Sequence, residues 1–224
     1  MKIPAILHQT WKEKESGRYK GCVDSWEEYM PNLERRLYLD DDIDEMVKYI
    51  VPHFFSLYNE FNYFIEKLDF FRYAVLWEYG GVYADMDVEC LQPLDDLLDG
   101  RVVFPVENSF GRNLVGQFMM VTPPQDELWM DLMFYITTNY SKKKYVPYNT
   151  GPDAVSSFFK TYGQKYKNVN FLCGLQNGPY VIHRCTGVWR TSEVTKHEKF
   201  CNICSSVMSG CNCYRGDWYN DKES

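Results

Sequence analysis

The sequence predicts an α/β domain built on a mixed sheet flanked by helices, and three observations carry that prediction. An apolar run at residues 3–7 reads as a buried strand. A helical period runs up to Gly80-Gly81, and a strict two-residue alternation begins at Val82. Helical and extended patterns then keep alternating along 224 residues, a length that fits one domain with a sizeable core.

Taken in order, residues 3–7 form the first strand, with Pro4 tolerated near its start, and His8-Gln9-Thr10-Trp11 falls where the strand should end. Ligands in open α/β sheets gather outside the carboxyl ends of strands, so Trp11 either stacks on a flat ring there or covers a core edge. Residues 26–30 read as the end of a short helix broken at Pro31, and residues 33–39 as a second strand. Asp40-Asp41-Asp42 resembles a metal cluster, but consecutive side chains cannot all face one ion. Helix capping and macrodipole attraction for residues 43–50 explain them better.

Residues 59–79 carry a long aromatic helical pattern, with Leu68, Phe71, Val75 and Tyr79 on one stripe. Asp69 and Arg72 lie three apart on another face and can point at the same place. Gly80 suits the residue that ends a helix, and Gly81 frees the chain to turn. Val82, Ala84, Met86 and Val88 then alternate with Tyr83, Asp85, Asp87 and Glu89, giving one apolar face and one face of oxygen-bearing groups. Two same-side aspartates repel, and Mn²⁺ or Mg²⁺, hard ions that accept carboxylates and substrate phosphates together, would relieve that repulsion. The alternative is a pair of exposed edge-strand acids. Further strands are expected at residues 102–106, 115–121, 170–173 and 180–183, with helices at 126–139 and 154–162. Asn149-Thr150-Gly151-Pro152 supplies cap residues and a proline for the second of these helices.

Composition limits the function classes. With 31 acidic and 24 basic residues the net charge is −7, and Lys142-Lys143-Lys144 is only a short loop cluster, so nucleic acid is not expected as a partner. The amino-terminal apolar run is too short for a signal peptide and no stretch approaches a membrane span, which leads to the expectation of a cytoplasmic protein. The tail differs in kind: Cys201, Cys204, Cys211 and Cys213 give the ligand count of a closed structural Zn²⁺ site, with free thiols or disulfides as the alternatives. Two domains are therefore expected, a catalytic one over residues 1–195 and a cysteine-rich tail over residues 196–224.

Residues 3–11, Asp69-x2-Arg72 and Tyr79-Gly-Gly-Val-Tyr-Ala-Asp-Met-Asp87 resemble the DXD sugar-binding glycosyltransferase family. That family includes Golgi mannosyltransferases, α-1,4-glycosyltransferases and capsular polysaccharide enzymes. The resemblance extends over about residues 1–190 and is most specific in the helix-Gly-Gly-strand block. It implies a GT-A fold, a Rossmann-like mixed sheet flanked by helices. It further implies a nucleotide-sugar donor (UDP- or GDP-linked), a divalent cation, a glycan or other hydroxyl acceptor, and retention at the anomeric carbon.

Carried over by position, Asp87 would bind the metal directly, and Asp85 would meet the ribose or sugar and reach the metal through water. Asp69 and Arg72 would hold the donor sugar and its phosphate side, with Tyr83 lining the same pocket. Gln9, Thr10 and Trp11 would lie by the base, Thr150-Gly151-Pro152 would form a sugar-proximal turn, and His183 would complete the metal shell. Two departures stand out. Gly187-Val188-Trp189 lacks the serine usual after that histidine, and Gly116-Gln117-Phe118 stands where an Asn with a small residue is expected near the acceptor. Gln117 is the substitute on offer, and Glu107 is left open as a covalent nucleophile. Among rival classes, a haloacid dehalogenase-type phosphatase would need Thr two residues after the second acid, where this chain has Glu89. A nucleotide-sugar-binding module without catalysis, or a zinc-dependent interaction protein, is the remaining alternative.

Overall fold

The computed structural model describes residues 2–109, 111–173 and 178–185. Along them run β1 (Ile6–Trp11), α1 (Lys20–Tyr29), β2 (Glu34–Leu39), α2 (Ile43–Ile50), α3 (Phe55–Tyr58) and α4 (Phe64–Tyr79). There follow β3 (Gly81–Ala84), β4 (Val88–Cys90), β5 (Val102–Ser109), β6 (Arg112–Val115), β7 (Met119–Thr122), α5 (Glu127–Asn139), α6 (Val146–Asn149), α7 (Pro152–Tyr162), β8 (Val169–Cys173) and β9 (Val181–His183). The expected mixed α/β architecture is what the chain adopts.

Seven strands form the main sheet in the order β2-β1-β3-β7-β5-β6, with β8 also on β5. β1 is parallel to β2 on one side and to β3 on the other, so the chain reverses its direction of winding at β1. A crevice opens at such a switch point, outside the carboxyl ends of the strands. Trp11 and Ala84 end β1 and β3 there. Beyond β3 the sheet is mixed: β7 is antiparallel to β3 and to β5, while β8 is parallel to β5.

β6 and β7 are two pieces of one interrupted strand on the same partner. Val115 pairs Val106, whereas Val121 pairs Val103. Six residues are therefore spent on one strand against three on the other, and the surplus of three is Gly116-Gln117-Phe118. The Gly116 N–H still reaches the Pro105 carbonyl at 2.8 Å, which pins the start of this bulge.

The faces of the sheet are covered separately. Tyr83, Met120, Phe104 and Val115 pack with α2, α4, α5 and α7 on one side. Val82, Ala84, Val103, Met119 and Val121 pack with Trp26 of α1, with Met30 just after it, and with Val88, Cys90 and Val181 of the small β4-β9 sheet on the other. α4 is buried on nearly every side between Glu66 and Leu76, including Asp69 and Arg72 at 4% and 6% exposure. The single apolar stripe expected for it understates this, because α2 and α5 flank the helix as well as the sheet.

His8 fastens the end of α4 to β1. Its Nε2–H donates to the Gly80 carbonyl at 2.8 Å, so Nδ1 accepts from the Tyr38 hydroxyl at 2.9 Å. Burial lowers its pKa to about 4, and the ring stays neutral.

Four boundaries differ from expectation. Pro4 offers its carbonyl to Ile6 N–H in a tight turn, so β1 begins at Ile6 and carries His8 to Trp11 inside the strand. The helix expected over residues 59–79 begins only at Phe64, as α4, because the Glu66 carboxylate takes the N–H groups of Asn62 and Tyr63 and sets its start. The alternation of residues 82–89 is broken between β3 and β4 by a turn in which Val88 N–H meets the Asp85 carbonyl at 3.0 Å. The strand expected at residues 115–121 is the bulged pair β6-β7. The cysteine tail (Cys201, Cys204, Cys211, Cys213), the Gly187-Val188-Trp189 turn and the boundary at residue 195 lie outside the described residues.

Gly80 has φ +62° and a Cβ there would lie 2.5 Å from the Pro124 nitrogen. Gly81 has φ +97° and a Cβ would lie 2.6 Å from the Ile6 carbonyl oxygen. Gly80→Ala and Gly81→Ala should each cost at least about 1–3 kcal/mol from backbone strain alone. Urea midpoints against Gly21→Ala, which meets open space, check this.

Candidate active site

Asp69 and Arg72 emerge from the middle of α4, where the three-residue spacing stacks them. Arg72 Nη2 lies 3.0 Å from Asp69 Oδ1, with both side chains almost fully buried. Asp69 Oδ2 accepts the Thr150 hydroxyl at 2.7 Å. One turn earlier, Glu66 accepts from the Asn149 side-chain amide at 2.7 Å, so α4 grips two consecutive residues ahead of α7. Gly151 is required at the bend because a Cβ would meet the Pro147 Cα at 2.7 Å, and Pro152 opens α7. Thr150 thus touches the sugar-binding candidates, while Gly151 and Pro152 shape the turn that brings it there.

The turn after β3 supplies the second half. Asp85 continues the side on which Tyr83 stands, and Tyr83 OH donates to Asp85 Oδ1 at 3.0 Å. Arg72 reaches this carboxylate too, with Nη1 at 3.5 Å from Asp85 Oδ1 and the guanidinium over the Tyr83 ring. Because the chain turns at Asp85, Asp87 comes round to the same place. Ligand atoms of Asp85, Asp87 and His183 all lie within 4.8 Å of one another. β9 delivers His183 by pairing it with Val88, and His183 Nε2 is 3.4 Å from Asp87 Oδ1. Its ring stacks on Phe118 at 4.5 Å.

Burial is the largest influence on the acids here. It raises Asp69 to about 6, against the pull of Arg72 and the Thr150 hydrogen bond. Asp85 is raised by burial and pulled back by Arg72, and its 29% exposed side chain tempers the effect. For His183 burial works against the charged form, but Asp87, Asp85 and Glu107 together raise its pKa. Glu107 is pushed up to about 7, again chiefly by burial.

β1 divides its three candidates between two faces. Thr10 Oγ1 lies 3.3 Å from Tyr83 OH and joins the Arg72 side. Gln9 and Trp11 point the other way: Gln9 Oε1 accepts from Arg35 Nε at 2.6 Å, and Trp11 packs with Tyr19, Val23, Leu37 and Met86. Met86 is the residue between the two aspartates, so this second patch adjoins the same turn.

Two oxygen ligands and one imidazole fit a hard or borderline divalent cation and leave most of its shell for substrate oxygens. Three buried nitrogens among the described residues have no partner: Gln9 Nε2, Trp11 Nε1 and Arg72 Nε. Buried donors are nearly always paired. That these three sit at the end of β1 and beside Asp85 fits a ligand rich in acceptor oxygens.

Sequence reasoning missed several participants. Gln117, offered as an acceptor contact, turns its side-chain amide onto the Thr150 carbonyl at 2.9 Å and onto the Tyr73 hydroxyl. Phe118 and Arg35 carried no motif signal. Arg112 and Asp153 form a buried ion pair at 2.7 Å from β6 to α7.

Residues 16–104 match the family described as the glycosyltransferase sugar-binding region containing the DXD motif. Inositol phosphoceramide mannosyltransferase 3 of Schizosaccharomyces pombe is 41% identical over 101 residues, 43% of this chain and 27% of that protein. Mannosyl phosphorylinositol ceramide synthase CSH1 of Saccharomyces cerevisiae is 30% identical over 171 residues, 71% of this chain and 43% of that protein. The chain thus spans less than half the length of these relatives. The solved PaToxG glycosyltransferase has the same fold, with a TM-score of 0.53 at 14% identity over 72% of this chain and 71% of that one. Over residues 16–104 this chain carries the sugar-binding region of that DXD glycosyltransferase family. The relatives also correct the cytoplasmic expectation: their names carry a ceramide lipid, a membrane component, and not a cytoplasmic solute. No helix among the described residues is long and apolar enough to cross a membrane.

Glu107 gives a pH test of the site's electrostatics. Its folded pKa of about 7 exceeds the ordinary 4.5, so the native chain holds a proton that the unfolded chain has lost between those values. Stability therefore falls as pH rises through this window. In chelator, Glu107→Gln should be more stable than wild type at pH 8 by about 1–3 kcal/mol and converge with it below about pH 4.5, as read from urea unfolding.

Proposed function

We propose that this chain carries the catalytic region of a metal-dependent, retaining glycosyltransferase that moves a hexose from a nucleotide-sugar to a hydroxyl acceptor. The observation that carries the reading is that Asp85 belongs at once to the cluster with Asp87 and His183 and to the ion pair with Arg72. A cation-ready cluster therefore abuts a buried guanidinium, and a sugar diphosphate needs both. Mannose is the favoured sugar and an inositol phosphoceramide the favoured acceptor, since the relatives are named for them.

In this reading Asp87, with His183 and Asp85, holds Mn²⁺ or Mg²⁺, which when bound offsets charge on the leaving diphosphate, an effect of several kcal/mol. Arg72 adds a fixed positive charge beside the same phosphates, already desolvated and held by Asp69. Asp69 accepts from sugar hydroxyls, and Thr150 orients it. Thr10 and Tyr83 line the pocket, while Gln9 and Trp11 offer their unpartnered N–H groups to the nucleotide. Retention follows from front-face attack. The acceptor oxygen bonds to the anomeric carbon on the side from which the phosphate leaves, and the departing phosphate oxygen takes the hydroxyl proton.

A donor panel of GDP-mannose, UDP-glucose, UDP-galactose and UDP-N-acetylglucosamine, scored for hydrolysis without acceptor, tests this. One donor should be hydrolysed with Mn²⁺ and not with EDTA, and Asp87→Asn should lose that activity with its circular dichroism unchanged. An Asp87→Asn protein near wild-type activity would refute the assignment. Donor binding without hydrolysis of any donor would favour the non-catalytic module.

A further inference from the structure

The bulge Gly116-Gln117-Phe118 was expected near an acceptor, yet its polar atoms point into the protein. The Phe118 carbonyl accepts the Asp85 N–H at 2.8 Å, fixing the first residue of the turn between the aspartates. The Phe118 ring stacks on His183 at 4.5 Å, on the metal side. The Gln117 carbonyl accepts from Arg72 Nη1 at 3.5 Å, and its side-chain amide donates to the Thr150 carbonyl and to Tyr73 OH. Tyr73 OH donates in turn to the Thr150 carbonyl at 2.7 Å, and Thr150 holds Asp69. Three inserted residues thus contact Asp85, His183 and Arg72, and reach Asp69 through Thr150.

We propose that this bulge is the positioning element of the site, with Gln117 setting the Asp69–Arg72 half and Phe118 setting the Asp85–His183 half. The inference rests on the glycosyltransferase reading above. Gln117 is 4% exposed and Phe118 2%, so neither is available to bind an acceptor directly. The Phe118 carbonyl carries the β3-β7 ladder one residue past the Ala84–Met119 pair to reach Asp85, and the detour from β5 is what turns the Gln117 carbonyl to Arg72 and its amide to Thr150. Gly116 permits the detour, since a Cβ there would press within 3.1 Å of Glu107 Oε2.

The two halves predict opposite phenotypes. Phe118→Leu keeps an apolar plug but loses the stack on His183, and should weaken Mn²⁺ binding about tenfold in electron paramagnetic resonance titrations, with Phe118→Tyr restoring it. Gln117→Ala should leave Mn²⁺ affinity within about twofold of wild type, yet raise the KM of the hydrolysed nucleotide-sugar about tenfold, with binding of the free nucleoside diphosphate unchanged. Such a crossed pattern supports positioning. If both variants merely lower the unfolding temperature, or both lose metal and sugar to the same degree, the bulge is structural and the proposal is overturned. If wild-type protein neither binds Mn²⁺ nor hydrolyses any donor, the glycosyltransferase reading fails first and this proposal fails with it.

Discussion

The site depends on one buried cation. Arg72 is 6% exposed, and an isolated guanidinium at that depth would cost several kcal/mol in lost hydration. Asp69 and Asp85 compensate it from opposite sides, one from its own helix and one from the turn after β3. Burial raises the pKa of both carboxylates, and Arg72 is the largest influence pulling each back, joined by Thr150 at Asp69 and by His183 and Tyr83 at Asp85. The three charges are therefore mutually necessary, and their geometry ties α4 to the end of β3.

The backbone is arranged around that necessity. His8 locks Gly80, so α4 and β3 meet at a fixed angle and Arg72 faces Asp85. Thr150, held by Asn149 on Glu66 and by Tyr73 and Gln117, closes the other side of Asp69. Beyond Asp85 the chain turns instead of continuing as a strand, which carries Asp87 toward His183 on the β9 edge. Such an arrangement leaves Arg72 Nε without a partner while its other nitrogens are engaged. Leaving a donor unpaired in a closed network costs stability, and a charged ligand would recover it.

Much of this was legible from residue order. The three-residue spacing of Asp69 and Arg72 placed them together, and the double glycine gave the helix-to-strand junction. Asp85 and Asp87 were read as neighbours for a reason that proved incomplete. Alternation put them on one side of a strand, whereas the chain brings them together through a turn. The bulge was invisible because a register difference between Val115 on Val106 and Val121 on Val103 exists only once strands pair. For the same reason Gln117 looked like a ligand contact: a lone glutamine carries no sign of which way its amide points. The split of Thr10 from Gln9 and Trp11 follows from simple strand alternation, which had been set aside by placing them after the strand's end.

The central claim, that Arg72 and its carboxylates stand or fall together, is tested most directly by a double-mutant cycle on Asp69 and Arg72 read by urea unfolding. Arg72→Gln alone should cost about 3–5 kcal/mol, because it leaves buried acids uncompensated. In the Asp69→Asn background the same change should cost less, giving a coupling energy of about 2 kcal/mol. Single-mutant costs that add to within about 0.5 kcal/mol would contradict the account.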